Sequence, residues 1–161
     1  MRLIALDPGP VRSAYVELAG DVPLDGCIID NEQLVTEYLN GSDGWHLVIE
    51  MIACYGMPVG KETFETCLWI GRFIQAWGVP KPTLLYRKEI VTNLCGSARA
   101  KDSNVRQALI DRYGGKDKAI GRKRSPGPLY GFAGDCWSAL AVGVTWLDKY
   151  SSLTPAKAEG E

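Results

Sequence analysis

The sequence has a single histidine, His46, and its five cysteines (27, 54, 67, 95 and 136) include no CxxC pair. His46 lies near none of them, so both a zinc site and a disulfide scaffold are poor readings. Reduced, partly buried thiols in a cytosolic compartment fit better. No apolar run approaches the ~20 residues that a bilayer span requires. The N-terminal LIAL is too short, and too soon followed by Asp7, to read as a secretory leader. Net charge is nearly lacking too, at −1, while 46% of the 161 residues are hydrophobic and 23% charged. That composition is globular rather than disordered and long enough for one well-filled core, expected over 1–150. The tail SSLTPAKAEGE (151–161) lacks apolar content and is expected to be disordered.

The small net charge conceals an asymmetry. Between Arg87 and Arg124 eleven Lys/Arg stand against four acids, a net of +7, leaving −8 for the remainder. A basic segment inside an acidic chain points to a polyanion partner for one face, and equally to a solvated lysine-rich surface.

Periodicity predicts three strands joined by short turns, RLIALD (2–7), SAYVEL (13–18) and GCIID (26–30). NEQLVTEYLN (31–40) is a helix closed by Asn40-Gly41, with Leu34, Val35, Tyr38 and Leu39 on one face. HLVIEM (46–51) is a continuous apolar strand of the kind buried on both faces. In KETFETCLWIGRFIQAW (61–77), Phe64, Cys67, Leu68, Gly71 and Ile74 recur at helical spacing and are expected to face the core. PTLLYR (82–87) reads as a fifth strand, followed by a helix over 88–95 ending at Cys95-Gly96. A helix over 103–115 follows, capped by Asp102 or Ser103. KDKAIGRKRSPGPLYGFAG reads as a loop. The last helix, 135–150, is expected to bury Trp137, Leu140, Ala141, Val144 and Leu147. A meander followed by crossovers predicts an α/β domain: a five-stranded mixed sheet, part antiparallel and part parallel, with helices on its faces.

Three carboxylates stand out by position. Asp7 ends the first strand, Glu50 ends the fourth, and Asp135 opens the final helix. If the first strand is central and the fourth lies parallel beside it, Asp7 and Glu50 share one cleft, to which the helix adds a third oxygen ligand. Two or three carboxylates are what Mg²⁺ prefers, with water and substrate phosphate completing the octahedron. Two ions ~3.5–4 Å apart support in-line attack by water on a phosphodiester. Each acid also has a plain structural reading. Asp7 would be a turn former in Asp-Pro-Gly, Glu50 the partner of a base at the sheet end, and Asp135 an N-cap.

ALDPG on the first strand, VIE closing the fourth and GDCWSALAVG on the last helix resemble RuvC-type Holliday junction resolvases of the RNase H-like superfamily, more specifically the phage-encoded branch. The ordered set spans roughly 1–150 and includes GSARAKDSNVRQAL, which is similar to the family's stretch ahead of a DNA-facing helix. The resemblance implies an RNase H-like fold, a homodimer, cytoplasmic action in a bacterial host, and symmetric cutting of four-way junctions with Mg²⁺ or Mn²⁺, one or two ions per site. It makes Asp7, Glu50 and Asp135 the metal ligands. One departure is Ser138, where the family often has a second acid one helical turn on; a hydroxyl is a much weaker ligand. The family's aromatic wedge has Tyr55 as its closest counterpart here, with burial of that side chain the alternative. Arg99 and Lys101, with Arg122, Lys123 and Arg124, would contact phosphates. Lys61 would favour an anion at a helix start, or be a plain surface lysine. Trp69, Phe73 and Trp77, beyond the expected core face of the 61–77 helix, are expected at either the dimer interface or the core.

Two rivals remain at this point. A junction-binding protein that has lost cleavage keeps the same fold with Ser138 as its mark. An actin-like phosphate-binding domain shares Asp-x-Gly after a first strand, but the chain has no second glycine-rich phosphate loop.

Overall fold

The computed structural model describes residues 1–39 and 44–151. The expected helix stop at Asn40-Gly41 and the tail from 152 lie outside the described residues. Five strands form one sheet: β1 (Arg2–Asp7), β2 (Arg12–Ala19), β3 (Val22–Asp30), β4 (Trp45–Met51) and β5 (Thr83–Tyr86), in the order β3-β2-β1-β4-β5. The β1–β2 and β2–β3 pairings are antiparallel, and the β1–β4 and β4–β5 pairings parallel. This is the expected mixed sheet, with β1 at its centre. Edge strand β3 starts four residues before the expected GCIID. Its Pro23 and two aspartates read as turn residues, yet an edge strand with a register shift at Glu17/Leu18 tolerates them.

The central strands are apolar on both sides because both sides are covered. Leu3 and Ala5 of β1 belong to one buried cluster, whereas Ile4 and Leu6 belong to the other. The first cluster is closed by α3 (Arg87–Cys95), α4 (Asp102–Arg112) and α6 (Cys136–Tyr150). Helix α6 lies across β1, β2 and β4 and is buried from Cys136 to Leu147 except at Ser138. Gly143 permits this close approach, since a Cβ there would meet the Ala5 Cβ at 3.0 Å and collide with Leu18.

The second cluster is closed by α1 (Asn31–Gln33), which runs into a π-helical turn over Leu34–Tyr38, and by α2 (Lys61–Trp77). Helix α2 is rotated from the expected orientation. Its buried side chains are Thr66, Ile70 and Phe73, with Trp69, Ile74 and Trp77 packed partly against the cluster. Of the expected inward stripe only Ile74 turns in, and Phe64, Cys67, Leu68 and Gly71 face outward. Phe73 is therefore core, fully buried with Leu34, Leu47 and Ile49.

Helix α4 starts at Asp102, and its Lys101 N–H is held by the Asn104 side chain at 3.0 Å, so Asn104 completes the cap rather than Asp102 or Ser103. The stretch read as a loop contains helix α5 (Lys116–Ala119) and a small hairpin, β6 (Gly121–Arg122) with β7 (Ser125–Pro126). Gly121 has φ +69, and any Cβ there would strike the Ser125 carbonyl, so the hairpin needs glycine. Among the described residues no helix is long and apolar enough to cross a membrane.

Candidate active site

Strand periodicity decides which way the two strand-end acids point. Residues 3 and 5 of β1 face the α6 side, so Asp7 continues on that side. Val48 of β4 also faces α6, and Glu50 follows two residues on. The parallel register Leu6↔Ile49 then sets Asp7 and Glu50 side by side at neighbouring strand ends. Asp135 precedes the first turn of α6, the helix laid over this face, and Ser138 follows one turn later.

The plain structural readings are now distinguishable. The turn after β1 is fastened by other residues: the Gly9 N–H donates to Ser13 Oγ (3.1 Å), Ser13 to Asn31 Oδ1 (2.6 Å), and Asn31 Nδ2 to the Gly9 carbonyl (2.9 Å). Asp7 is not needed there. Asp135 occupies the N-cap position of α6, but its side chain makes no capping hydrogen bond. Glu50 does pair with a base, with Arg87 NH1 3.8 Å from its Oε2.

Electrostatics tie the acids together. Burial, then the Glu50 and Asp135 charges, push the Asp7 carboxyl up to about 7; Arg87 and a hydrogen bond with Ser138 pull the other way. Burial also raises Glu50, with Arg87 opposing and Asp102 adding to the rise. Asp7 thus feels both Glu50 and Asp135 as nearby charges. Among the described residues no three His, Cys, Asp or Glu side chains are grouped to hold one metal ion as they stand.

The donor set fits a hard divalent cation all the same. All the donors are oxygens. Glu50 Oε2 is buried and accepts no hydrogen bond, a costly state that a cation would relieve. Asp7 and Glu50 both carry raised pKa values, first because burial strips water from their charged forms, a cost that a bound cation would offset.

A cleft of about 620 Å³ opens beside these groups, lined by Arg87, Asp102, Arg106, Lys116, Asp135 and Ser138 among others. Arg106 stacks its guanidinium 4.8 Å above the Trp137 ring. Arg99 and Lys101 are exposed on the approach to α4. Arg122, Lys123 and Arg124 form the tip of the β6–β7 hairpin, all three exposed, just past the cleft-lining Ile120. Lys61 lies outside the cleft lining and pairs with Glu65 at 3.1 Å. Tyr55 is 65% exposed, which removes burial as its explanation. It sits at φ +46 in a turn closed by the Met57 N–H on the Cys54 carbonyl (2.9 Å).

Arg87, Arg106 and Lys116 are the site residues that reading the sequence did not single out. For Arg87 a signal existed, because it ends the expected fifth strand, PTLLYR (82–87), as Asp7 ends the first.

No family model matches the sequence, and no curated protein sequence matches it. Two solved structures of RuvC from Thermus thermophilus superimpose over nearly the whole fold. One is the protein alone (TM-score 0.71, 16% identity) and the other is in complex with a Holliday junction substrate (TM-score 0.63, 16% identity). Each covers 95% of this chain and 96% of its own.

The fold is RuvC-like.

In this fold Asp7 and Glu50 end neighbouring parallel strands of the five-stranded sheet, and Asp135 opens the helix laid across its centre.

Proposed function

We propose that this chain is a divalent-metal-dependent endonuclease that resolves four-way DNA junctions and also cuts other branched DNA. The observation that carries the reading is Asp7 within reach of the Glu50 and Asp135 charges, with Asp135, Arg87, Arg106 and Lys116 lining the adjoining cleft, on a RuvC-like fold. Asp7 and Glu50 would hold the Mg²⁺ or Mn²⁺ from the strand ends, with Asp135 from the helix side. When bound, such a cation supplies an acidified attacking water and a counter-charge for the phosphodiester. The Ser138 hydroxyl, close enough to lower the Asp7 carboxyl, would orient it. Arg106 and Lys116 inside the cleft, with Arg99, Lys101 and the hairpin bases around it, grip phosphates without reading sequence. Tyr55, presented to solvent by its turn, stacks on a base at the junction centre.

A second copy of the chain completes the enzyme, because symmetric cutting needs two sites at fixed separation. The exposed apolar side chains of α2 and the loop before it, Met57, Phe64 and Leu68, supply the matching surface. All five thiols are free, in keeping with action in a reducing cytoplasm. Placement in the phage-encoded branch rests on the motifs quoted from the sequence.

Incubation with a synthetic four-way junction, with and without Mg²⁺, tests the reading. Paired, symmetric, Mg²⁺-dependent nicks are expected. The open arrangement of the acids and the hydroxyl at Ser138 favour one rival, a junction-binding protein without cleavage. Uncut DNA in a shifted gel band would establish it. An Asp135→Asn variant that cuts like the parent would remove Asp135 from the site.

A further inference from the structure

Arg87 is placed beside Glu50 by the sheet itself. In the parallel β4–β5 pairing, Glu50 lies opposite Leu85 and Met51 opposite Tyr86, and Arg87 comes next as the first residue of α3. That helix start is anchored by the Tyr86 N–H on Glu89 Oε2 (3.0 Å), and α3 packs on α4 and α6. The guanidinium spans two acids. One edge pairs with Asp102, the first residue of α4, and NH1 stands 3.8 Å from Glu50 Oε2. At that distance the charges attract but no hydrogen bond forms. Glu50 Oε2 accordingly stays buried with its lone pairs free. Arg87 therefore balances the charge of Glu50 while leaving the oxygen open to a ligand.

We propose that Arg87 is a built-in cation of the acidic pocket, a positioning residue that fixes Glu50 and limits each DNA-free chain to one divalent ion. The inference rests on the metal-dependent reading above and adds to it the number of ions and the residue that sets it. Charge balance carries it. Once a cation has displaced the proton that Asp7 holds, Asp7, Glu50 and Asp135 bring three negative charges, Ser138 brings none, and Asp102 is largely solvated, its side chain 88% exposed. Arg87 and one divalent ion match the three acids. A second ion would leave a half-buried pocket with two positive charges in excess, which such a site does not accommodate.

The test is Mn²⁺ titration of the whole chain without DNA, followed by electron paramagnetic resonance and calorimetry. One ion per chain is expected in the parent. Arg87→Lys keeps one ion, because the charge remains. Arg87→Met binds Mn²⁺ at least about tenfold more tightly, because the repelling charge is gone, and Arg87→Met with Ser138→Asp takes up a second ion. Asp102→Asn, a surface change that spares the fold, lets the guanidinium lean on Glu50 and weakens Mn²⁺ binding several-fold with one ion retained. Two ions in the parent, or unchanged affinity in both Arg87→Met and Asp102→Asn, overturns the inference and leaves the nuclease reading standing. If Arg87→Met does not fold, Asp102→Asn alone decides. A parent chain that binds no Mn²⁺ overturns both.

Discussion

Asp7 is the residue at which folding and function pull hardest against each other. Its carboxyl is raised from 3.8 to about 7 in the folded chain, first by burial and then by Glu50 and Asp135. Between those two values the native state holds a proton that the unfolded state has lost. The stabilising contribution is complete below about pH 4 and disappears as pH rises through about 7. Without metal, the protein is therefore expected to melt at lower temperature at pH 8 than at pH 5. Asp7→Asn should remove much of that slope and gain about 1–3 kcal/mol at pH 8, with little effect at pH 4. Melting curves in chelator at both pH values check this; equal shifts at both would contradict it. Mg²⁺ should raise the melting temperature of the parent at pH 8 but not that of the variant. Tyr55 makes a second prediction at this scale. A bulky residue at φ +46 carries backbone strain of about 1 kcal/mol that glycine relieves. Tyr55→Gly should thus be slightly more stable while unstacking a fluorescent base at the junction centre less; a loss of stability would count against the strain argument. The acids were legible in the sequence because each ends a strand or opens a helix. Arg106 and Lys116 were not, since their relation to Asp135 exists only after α4, α5 and α6 pack.

Helix α2 shows what periodicity leaves undecided at the scale of an element. Both its stripes are apolar, one with Phe64, Leu68 and Gly71, the other with Ile70, Phe73 and Trp77, so spacing alone does not say which meets the sheet. Packing decides, because only the second stripe joins Leu34, Leu47 and Ile49. The two stripes should respond oppositely to substitution. Phe73→Ala opens a cavity and should cost about 3–5 kcal/mol. Leu68→Glu, at a side chain 71% exposed, should leave stability within about 0.5 kcal/mol yet convert the proposed dimer to monomers. Sedimentation of the variant beside the parent measures this: the parent is expected as a dimer, and a variant that sediments as the parent does would move the proposed interface elsewhere. The hairpin was read as a loop for a different reason. Its strands have two residues each, too short for any alternation, and Gly121 and Pro126 look like loop residues. The long strands were plain because continuous apolar runs such as LIAL and LVI have few other uses in a globular chain.

At the scale of the molecule, the order of the strands and the uneven charge work together. The meander places β1 at the centre, β4 enters parallel beside it, and the +7 segment folds as α3, α4, α5 and the hairpin, bringing Arg87, Arg106 and Lys116 to the cleft that Asp135 lines. That overall plan was legible because turns and crossovers allow few topologies. A chain of net charge −1 should therefore still bind DNA with a steep dependence on salt, since binding follows the local charge rather than the total. On duplex DNA each neutralised phosphate adds about 0.9 to the slope of log affinity against log salt. Replacing Arg122, Lys123 and Arg124 together by serine should then lower the slope by about two to three. Affinity for linear duplex and for four-way junctions should fall alike, because these contacts carry no shape information. Lys61→Ser is the control. It is already paired with Glu65 away from the cleft and should leave the slope unchanged. A triple variant with the parent slope would mean that the hairpin stays clear of DNA. The phosphate grip would then lie on α4 and the segment before it, through Arg99, Lys101 and Arg106.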